Sequence, residues 1–533
     1  MDAISLASPL DEVFEGHTKD DLALEQLGYE QELHRSFSLM GMVGFCFSIV
    51  TCWSALGGTL AVGIESGGPP VMVWSWIGVS LAALAIAFSF AEMCSAYPVA
   101  GGQYSWVAAL APAKCARELS WVCGWFMLVG IIANGAVNNF IASNFILGMV
   151  NLRNPSYQIE RWHTTVVAYG IIVTMGTVNI VAPKLLDKLS KSILIWNIVT
   201  FVTVVITLLA TKSRDSPSFQ TASFVFSDFR NSTGLSPALG TLAGLLQNFY
   251  SMCCYDAPAH MTEELLNAAH DAPKAIVTAV VLGAVTGFIF LVTVFFCITD
   301  IASTANTSTG VPLIQIFYDS TKSVPGAIVL STMIAVILLV CANSLMTEGS
   351  RSLYAFARDH GLPASRIVSK VNKRSGVPIY AVIICMIIQA ALNTIYIGTP
   401  TGFNTVISIA GLGFYISYLM PLASRLASEV LKQPVLLNGP YNFGKWGIFC
   451  NAAGAVVLII ACVIFNFPSE APINSQTMNY APAAFGVVIL ASFLSWVLGG
   501  KKNFTMPTVR DAISVPEANL KTVGPKVAEA KFQ

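Results

Sequence analysis

The sequence predicts an all-α integral membrane protein of twelve transmembrane helices, and three observations carry that expectation. Only 11% of the 533 residues are charged and 55% are hydrophobic, whereas soluble domains carry about a quarter charged residues. The apolar residues are gathered into long uncharged stretches, each able to supply the roughly 20 residues that cross a bilayer as a helix. The basic residues are sorted by side: with the N-terminus inside, inside segments hold 23 Lys and Arg and outside loops hold 6, the asymmetry that orients a chain during insertion.

The uncharged stretches centre on 39–64, 71–91, 120–150, 164–182, 192–211, 238–255, 275–299, 325–347, 378–397, 402–424, 446–466 and 481–499. The ninth and tenth share one run, divided by the helix breaker Gly398-Thr399-Pro400-Thr401-Gly402. An even number of spans puts both termini on one side, the cytoplasmic one by the charge asymmetry. Residues 1–35 hold nine acids and two bases and read as a mostly disordered cytoplasmic tail. A short amphipathic turn around Leu22, Leu27 and Leu33 is the part able to latch onto the core. Residues 36–500 form the twelve-helix domain, and 501–533 a basic, polar cytoplasmic tail. The sequons at Asn231 and Asn306 fall in outside loops and are the expected glycan acceptors; the one at Asn503 falls inside and should stay unused.

Several function classes are excluded early. Zero net charge gives no nucleic-acid footprint. No phosphate-binding motif appears, so direct ATP-driven work is not expected. The acidic start is unlike a cleavable signal peptide. The twelve cysteines lie in or beside apolar runs without metal spacing, and adjacent Cys253 and Cys254 make no zinc half-site. The six histidines are scattered rather than clustered as an enzyme would need. Neither catalysis nor a cofactor or metal is expected.

Two spans carry irregularities. The sixth contains "SMCCYDAPAHMTEEL", Ser251 to Leu265, where an aspartate, a proline and a histidine interrupt a stretch uncharged from Asn231 to Tyr255. The first contains Thr51-Cys52-Trp53-Ser54-Ala55-Leu56-Gly57-Gly58 at its middle. Their separation fits two inverted five-helix units plus two extra helices, and paired interruptions in such units point to a binding site at the membrane midplane. An intact helix uses its own amides and carbonyls, whereas a break frees several. Freed N-termini attract a carboxylate and freed carbonyls an ammonium. Gly57 and Gly58 also suit plain close packing of helices.

Three segments then carry a family resemblance: "FAEMCSAYPVAGGQYSWVAALAP" (Phe90–Pro112), "CYDAPAHMTEELLNAAHDAPKAI" (Cys254–Ile276) and "SRSLYAFARDHGLPAS" (Ser350–Ser365). They resemble the signature segments of amino acid–polyamine–organocation transporters. "GIESGGPP" (Gly63–Pro70) resembles the fungal amino acid/choline branch, with its GABA and choline permeases. The resemblance runs from about Leu27 to Gly500 and implies a five-plus-five inverted repeat with broken helices 1 and 6, working by alternating access. It implies substrate carboxylate contacts around Cys52, Trp53, Ser54, Ala55 and Gly57. It implies amine contacts near Tyr250, Ser251 and Cys253, with Tyr255 as an aromatic lid on which Trp53 could help to stack a cation.

The acids acquire roles in this frame. Asp256 is expected to cap the second half of the sixth helix, with a substrate or proton role as the alternative. Glu263 and Glu264 stand where the eighth helix ends with Glu348, Arg351 and Arg358, a set suited to an inner gate. His260 is expected to pack, with pH sensing as the alternative. The mid-helix lysine of helix five that several bacterial relatives link to proton coupling is missing, and Asn197 holds roughly its place. The expected protein is therefore a permease in the lipid bilayer, of the fungal plasma membrane or a vacuole, for a small amino acid or amine. GABA-like zwitterions come first and choline-like cations second, with H+ as coupling ion. An exporter of an amine metabolite and a non-transporting nutrient sensor are the remaining alternatives.

Overall fold

Helix ends follow from local chemistry throughout the computed structural model, which describes residues 19–507 apart from 51, 216–217, 434, 436, 469 and 476. The first half runs through α1 (Lys19–Gln26), α2 (Leu39–Val50), α3 (Cys52–Glu65), α4 (Gly68–Ala96), α5 (Gln103–Leu110), α6 (Ala116–Arg153), α7 (Arg161–Val181) and α8 (Leu185–Lys212). Between α3 and α4 the chain turns at Gly67, whose φ of +108° is open to glycine at little cost. Prolines then occupy the first turn of α4, where a missing N–H removes no helical bond.

The second half holds the short α9 (Ala222–Phe226), α10 (Pro237–Ser251), the four-residue α11 (Ala257–His260), α12 (Ala268–Cys297), α13 (Ile301–Ala305), α14 (Pro312–Thr321) and α15 (Val324–Arg358). After these come α16 (Ser365–Val368), α17 (Ile379–Gly398), α18 (Pro400–Val430), α19 (Gly444–Ile464) and α20 (Ala481–Ser495). Thr399 separates α17 from α18, with Pro400 opening the latter, as the breaker there predicts. The only sheet among the described residues is a two-residue pairing of β1 (Ser66–Gly67) with β2 (Arg230–Asn231), in the register Ser66 to Asn231.

Eleven helices among the described residues are long and apolar enough to cross a membrane. The remaining expected span, 238–255, is represented by α10, which stops after 15 residues. Helices five spans apart pack together: α3 on α10, α4 on α12, α6 on α15 and α7 on α17. That is the pairing a two-fold arrangement of five-helix units produces. A buried ion pair pins α4 to α18, Arg425 donating to Glu92 at 2.5 Å, while the Phe443 amide donates to the second Glu92 oxygen at 3.0 Å.

The first span needs a correction. From Cys52 to Glu65 the chain is helical, so no interruption runs through 52–58; α2 ends at Val50, and residue 51, the first of the expected interruption, lies outside the described residues. The segment Cys52–Gly57 contains no proline and no charge to stop a helix. A side chain at Gly57 would meet Leu313 of α14, so this glycine admits a neighbouring helix.

The first and last described segments meet at Asp359. The Tyr29 hydroxyl donates to an Asp359 oxygen at 3.1 Å, and the Thr505 amide donates to the Asp359 carbonyl at 3.0 Å. Part of the stretch read as a disordered tail is thus folded. Arg35 pairs with Asp20 at 2.9 Å and Asp21 at 2.8 Å, tying α1 to the segment that enters α2. Residues 1–18 and 508–533 lie outside the described residues.

Candidate functional site

The sixth span breaks where the sequence places its polar residues. α10 ends at Ser251, Met252 to Asp256 are not helical, and Cys254 has φ +65°, a left-handed conformation that non-glycine residues rarely take. Pro258 lies in the first turn of α11. Buried backbone groups freed by a break need partners, and α18 supplies them. The Cys254 amide donates to the Tyr418 hydroxyl at 3.1 Å, and the Tyr415 hydroxyl donates to the Phe249 carbonyl at 2.5 Å.

Beside the break lies a small cavity of about 30 Å³, lined by residues of α2, α3, α6, α10, α15 and the break itself. That is room for about one water, so an amino-acid-sized molecule requires the surrounding helices to part. Of the sequence-predicted contacts, Ala55, Tyr250 and Cys253 line it. Asn134 and Asn138 of α6 line it as well. The Tyr250 hydroxyl donates to Asn134 Oδ1 at 2.9 Å, Asn134 Nδ2 reaches Cys254 Sγ at 3.2 Å, and Asn138 donates to the Leu338 carbonyl at 3.0 Å. Sequence reasoning missed both asparagines. The available signal was amide side chains four residues apart in an apolar span, which are rare without an interhelical role.

The other predicted contacts sit elsewhere. Trp53 is fully buried on another face of α3, donating to Asn197 Oδ1 at 2.7 Å and packing on Phe201 and Phe290. It is not a stacking surface for a ligand in this conformation. Cys52 faces Met252 Sδ at 3.5 Å, and Ser54 is buried. Ser251 is buried with an Oγ that finds no partner among the described residues. Tyr255 packs between Phe90 and Tyr418 instead of covering the cavity.

Asp256 does not cap α11. Its carboxylate turns away from the helix amides and accepts from three side chains. Tyr418 donates to Oδ1, Gln103 donates to Oδ2, and His260 Nε2 lies 3.2 Å from Oδ2. Glu348 of α15 is fully buried in the same place, and one donor atom each from Asp256, His260 and Glu348 lie within 4.8 Å of one another. Glu348 stands apart from the ion pairs it was expected to join.

Those pairs form a separate cluster on the face that holds the chain ends. Arg358 donates to both Glu263 oxygens, at 2.8 and 2.9 Å, and Arg351 donates to Glu264 at 2.6 Å. The N-terminal segment seals them. The Tyr29 ring lies 4.1 Å from the Arg358 guanidinium, Gln31 donates to the Glu263 carbonyl at 2.7 Å, and Tyr354 donates to Glu32 at 2.7 Å. The amides of Ser36 and Phe37 both donate to the Glu264 carbonyl at 3.0 Å. Asp359 accepts from Tyr29 and from Tyr104. Burial pushes its carboxyl up to about 6, against the opposing pull of Arg358 and the two hydroxyls. A cavity of about 890 Å³ lies near this face between His360, Arg366, Ser495 and Lys502, and no residue of the break lines it.

The sequons at Asn231 and Asn306 differ in exposure. Asn306 is exposed, whereas Asn231 is half-buried and donates its amide to the Leu235 carbonyl at 2.8 Å.

Comparisons with known proteins agree with this architecture. The family described as "Amino acid permease" matches residues 37–491. A protein of Macrophomina phaseolina named as an amino acid/polyamine transporter is 57% identical over 83% of this chain and 97% of its own. The choline transporter of Saccharomyces cerevisiae is 32% identical over 89% of this chain and 83% of its own. A crystal structure of a variant of the Eremococcus coleocola manganese transporter shares the fold alone, with a TM-score of 0.53 and 13% identity over 94% of this chain and 98% of its own. With that fold, a broken sixth span beside a closed cavity, and relatives of this kind, the chain belongs to the amino acid permease family, within the amino acid–polyamine–organocation transporters.

Proposed function

We propose that the chain is a proton-coupled permease that takes up a small zwitterionic amino acid or related amine, GABA first, across the fungal plasma membrane. The observation that supports it most is the cavity at the break of the sixth span, where Tyr250, Asn134 and Cys253 meet. In this reading substrate binds when the helices around the break part, and its polar groups replace bonds such as Tyr250 to Asn134. The Glu263–Arg358 and Glu264–Arg351 pairs serve as the inner gate and must separate for inward opening. Both termini are cytoplasmic, as the basic-residue asymmetry implies.

Choline is the second reading, supported by the relative named for choline transport and by the Tyr250 ring, a face suited to a quaternary ammonium. A cation without a carboxylate calls for an acid in its pocket. Asp256 is absent from the cavity lining and already holds three donors, which favours the zwitterion. An exporter or vacuolar carrier uses the same cavity with the gradient reversed.

Radiolabelled uptake into proteoliposomes, with GABA, choline and common amino acids as the panel, tests this reading. A proton moving down 100 mV gains about 2.3 kcal/mol, enough for roughly fiftyfold accumulation of a neutral zwitterion. Accumulation of GABA that a protonophore abolishes supports the proposal. Accumulation that survives the protonophore and requires sodium overturns the coupling ion, and uptake of choline alone overturns the substrate.

A further inference from the structure

The hydrogen-bond pattern around His260 fixes where a proton must lie. His260 Nδ1 is 3.2 Å from the Ala100 carbonyl oxygen and Nε2 is 3.2 Å from Asp256 Oδ2. A carbonyl can only accept, so Nδ1 carries a hydrogen. The contact on the other side then needs a second hydrogen, on Nε2 or on the Asp256 carboxyl. Gln103 and Tyr418 also donate to Asp256, so one proton is shared between Asp256 and His260 and the pair is neutral whichever of them holds it. The pair is therefore internally balanced and fully bonded.

Glu348 is different. Both of its carboxylate oxygens are buried without a hydrogen-bond partner among the described residues, although an oxygen lies within 4.8 Å of the Asp256–His260 pair. The titratable groups that face it are Asp256 and His260, Cys253 and Cys254 from the break, and Cys46 from α2; Tyr418 of α18 faces the pair itself. The nearest cation along α15, Arg351, is already paired with Glu264. From the other helices packed on α15, α6 offers Asn138 and α7 offers Asn179, both neutral. An ionised Glu348 here is an uncompensated buried charge, and an intramembrane carboxylate of this kind marks an ion or proton path.

We propose that Glu348 is the group that takes up and releases the transported proton, with the Asp256–His260 pair as the neighbour that sets its charge state. This rests on the proton-coupled reading above. With Glu348 protonated the triad sums to zero charge, a neutral Asp256–His260 pair beside a neutral acid, and can be enclosed. With the proton released, the triad carries one net negative charge and is better tolerated when water reaches it. The geometry links this to substrate, because Cys253 and Cys254 line the cavity and Asp256 follows two residues later. Closing over substrate thus favours the proton-loaded form. A metal ion fits less well: both ring nitrogens of His260 are engaged and Asp256 already meets three side chains, leaving Glu348 as the one member without a partner among the described residues.

The test uses the full chain in proteoliposomes, with radiolabelled GABA and choline as probes and an imposed pH gradient. In Glu348→Gln, gradient-driven accumulation should disappear, while counterflow exchange falls by less than about tenfold, since exchange moves no net proton. Glu348→Asp should retain coupling with a displaced pH profile. If Glu348→Gln still accumulates either probe with the wild-type profile, the carrier assignment is overturned and the coupling stands. If wild-type protein ignores the pH gradient, the parent reading fails instead. Infrared titration of the purified protein over about pH 5 to 8 needs no substrate. It should show a protonated carboxyl band that Glu348→Asp shifts and Glu348→Gln removes; a wild-type spectrum without such a band overturns the proposal.

Discussion

Tyr418 holds Cys254 in place: its hydroxyl accepts the Cys254 amide at 3.1 Å and donates its own hydrogen to Asp256. One phenol on α18 thereby fixes both a left-handed backbone position and the orientation of a buried acid. Tyr418→Phe leaves the Cys254 N–H without its partner, which costs about 1–3 kcal/mol. The expected result is a lower melting temperature in detergent and reduced uptake with the protein still at the membrane. Unchanged melting and uptake would show that the break is held elsewhere.

Cutting one member of the Glu263–Arg358 pair leaves a buried charge alone, at a cost of about 3–5 kcal/mol to the closed arrangement. Glu263→Gln should therefore raise the rate at which a membrane-impermeant thiol reagent, applied from the side of the chain ends, modifies Cys254. Reversing both charges, Glu263→Arg with Arg358→Glu, should restore part of the protection. Equal labelling rates in all three proteins would remove this pair from the gate.

Asp359 should make the N-terminal latch sensitive to pH. Its carboxyl is pushed from 3.8 to about 6 in the folded chain, so the folded form binds the proton more tightly than the unfolded one. The stabilisation it lends is complete below the unfolded value and is lost as pH rises through about 6. Protection of the amides from Gln31 to Phe37, measured relative to their intrinsic exchange rates, should fall across that window in wild type and stay flat in Asp359→Asn. A change in the opposite direction would contradict the assignment.

Asn134→Ala removes the acceptor for Tyr250 and the donor to Cys254 in the wall of the cavity. Loss of one polar wall contact is worth about 1–3 kcal/mol, or roughly fivefold to 150-fold in apparent affinity. A raised KM for uptake, with surface abundance preserved, is the expected signature. An unaltered KM would place the substrate away from α6.

Glycan mapping by mobility shift in Asn306→Gln and Asn231→Gln should assign modification to Asn306 first, because it is exposed while Asn231 is half-buried. A glycan on Asn503 would reverse the membrane orientation.

The sixth-span break was legible because Asp256, Pro258 and His260 punctuate a run that otherwise has no reason to stop. Pro400 marked the separation of α17 and α18 for the same reason. The matching interruption expected across 51–58 was inferred from two glycines, and glycine has two readings; at Gly57 the neighbour is Leu313, so packing explains it. Trp53 and Tyr255 were named for their aromatic faces, but which face of a helix meets a cavity depends on rotation about the helix axis. Tyr415 and Tyr418 were invisible for the converse reason: a tyrosine in an apolar span looks like core until the backbone it must satisfy is in place. Glu348 was grouped with the gate by its proximity to Arg351 in sequence, yet Arg351 lies three residues further round the helix and finds Glu264.

The meeting of Tyr29 with Asp359 also orders events during biosynthesis. These partners are 330 residues apart, and at about 5–20 residues per second the first to emerge waits roughly 17 to 66 seconds for the second. Thr505 arrives later still. Throughout that interval the N-terminal segment lacks its Asp359 anchor and can engage only the earlier partners Glu263 and Glu264. Sealing of that end therefore marks a finished polypeptide, and a chain truncated before Arg358 cannot acquire it.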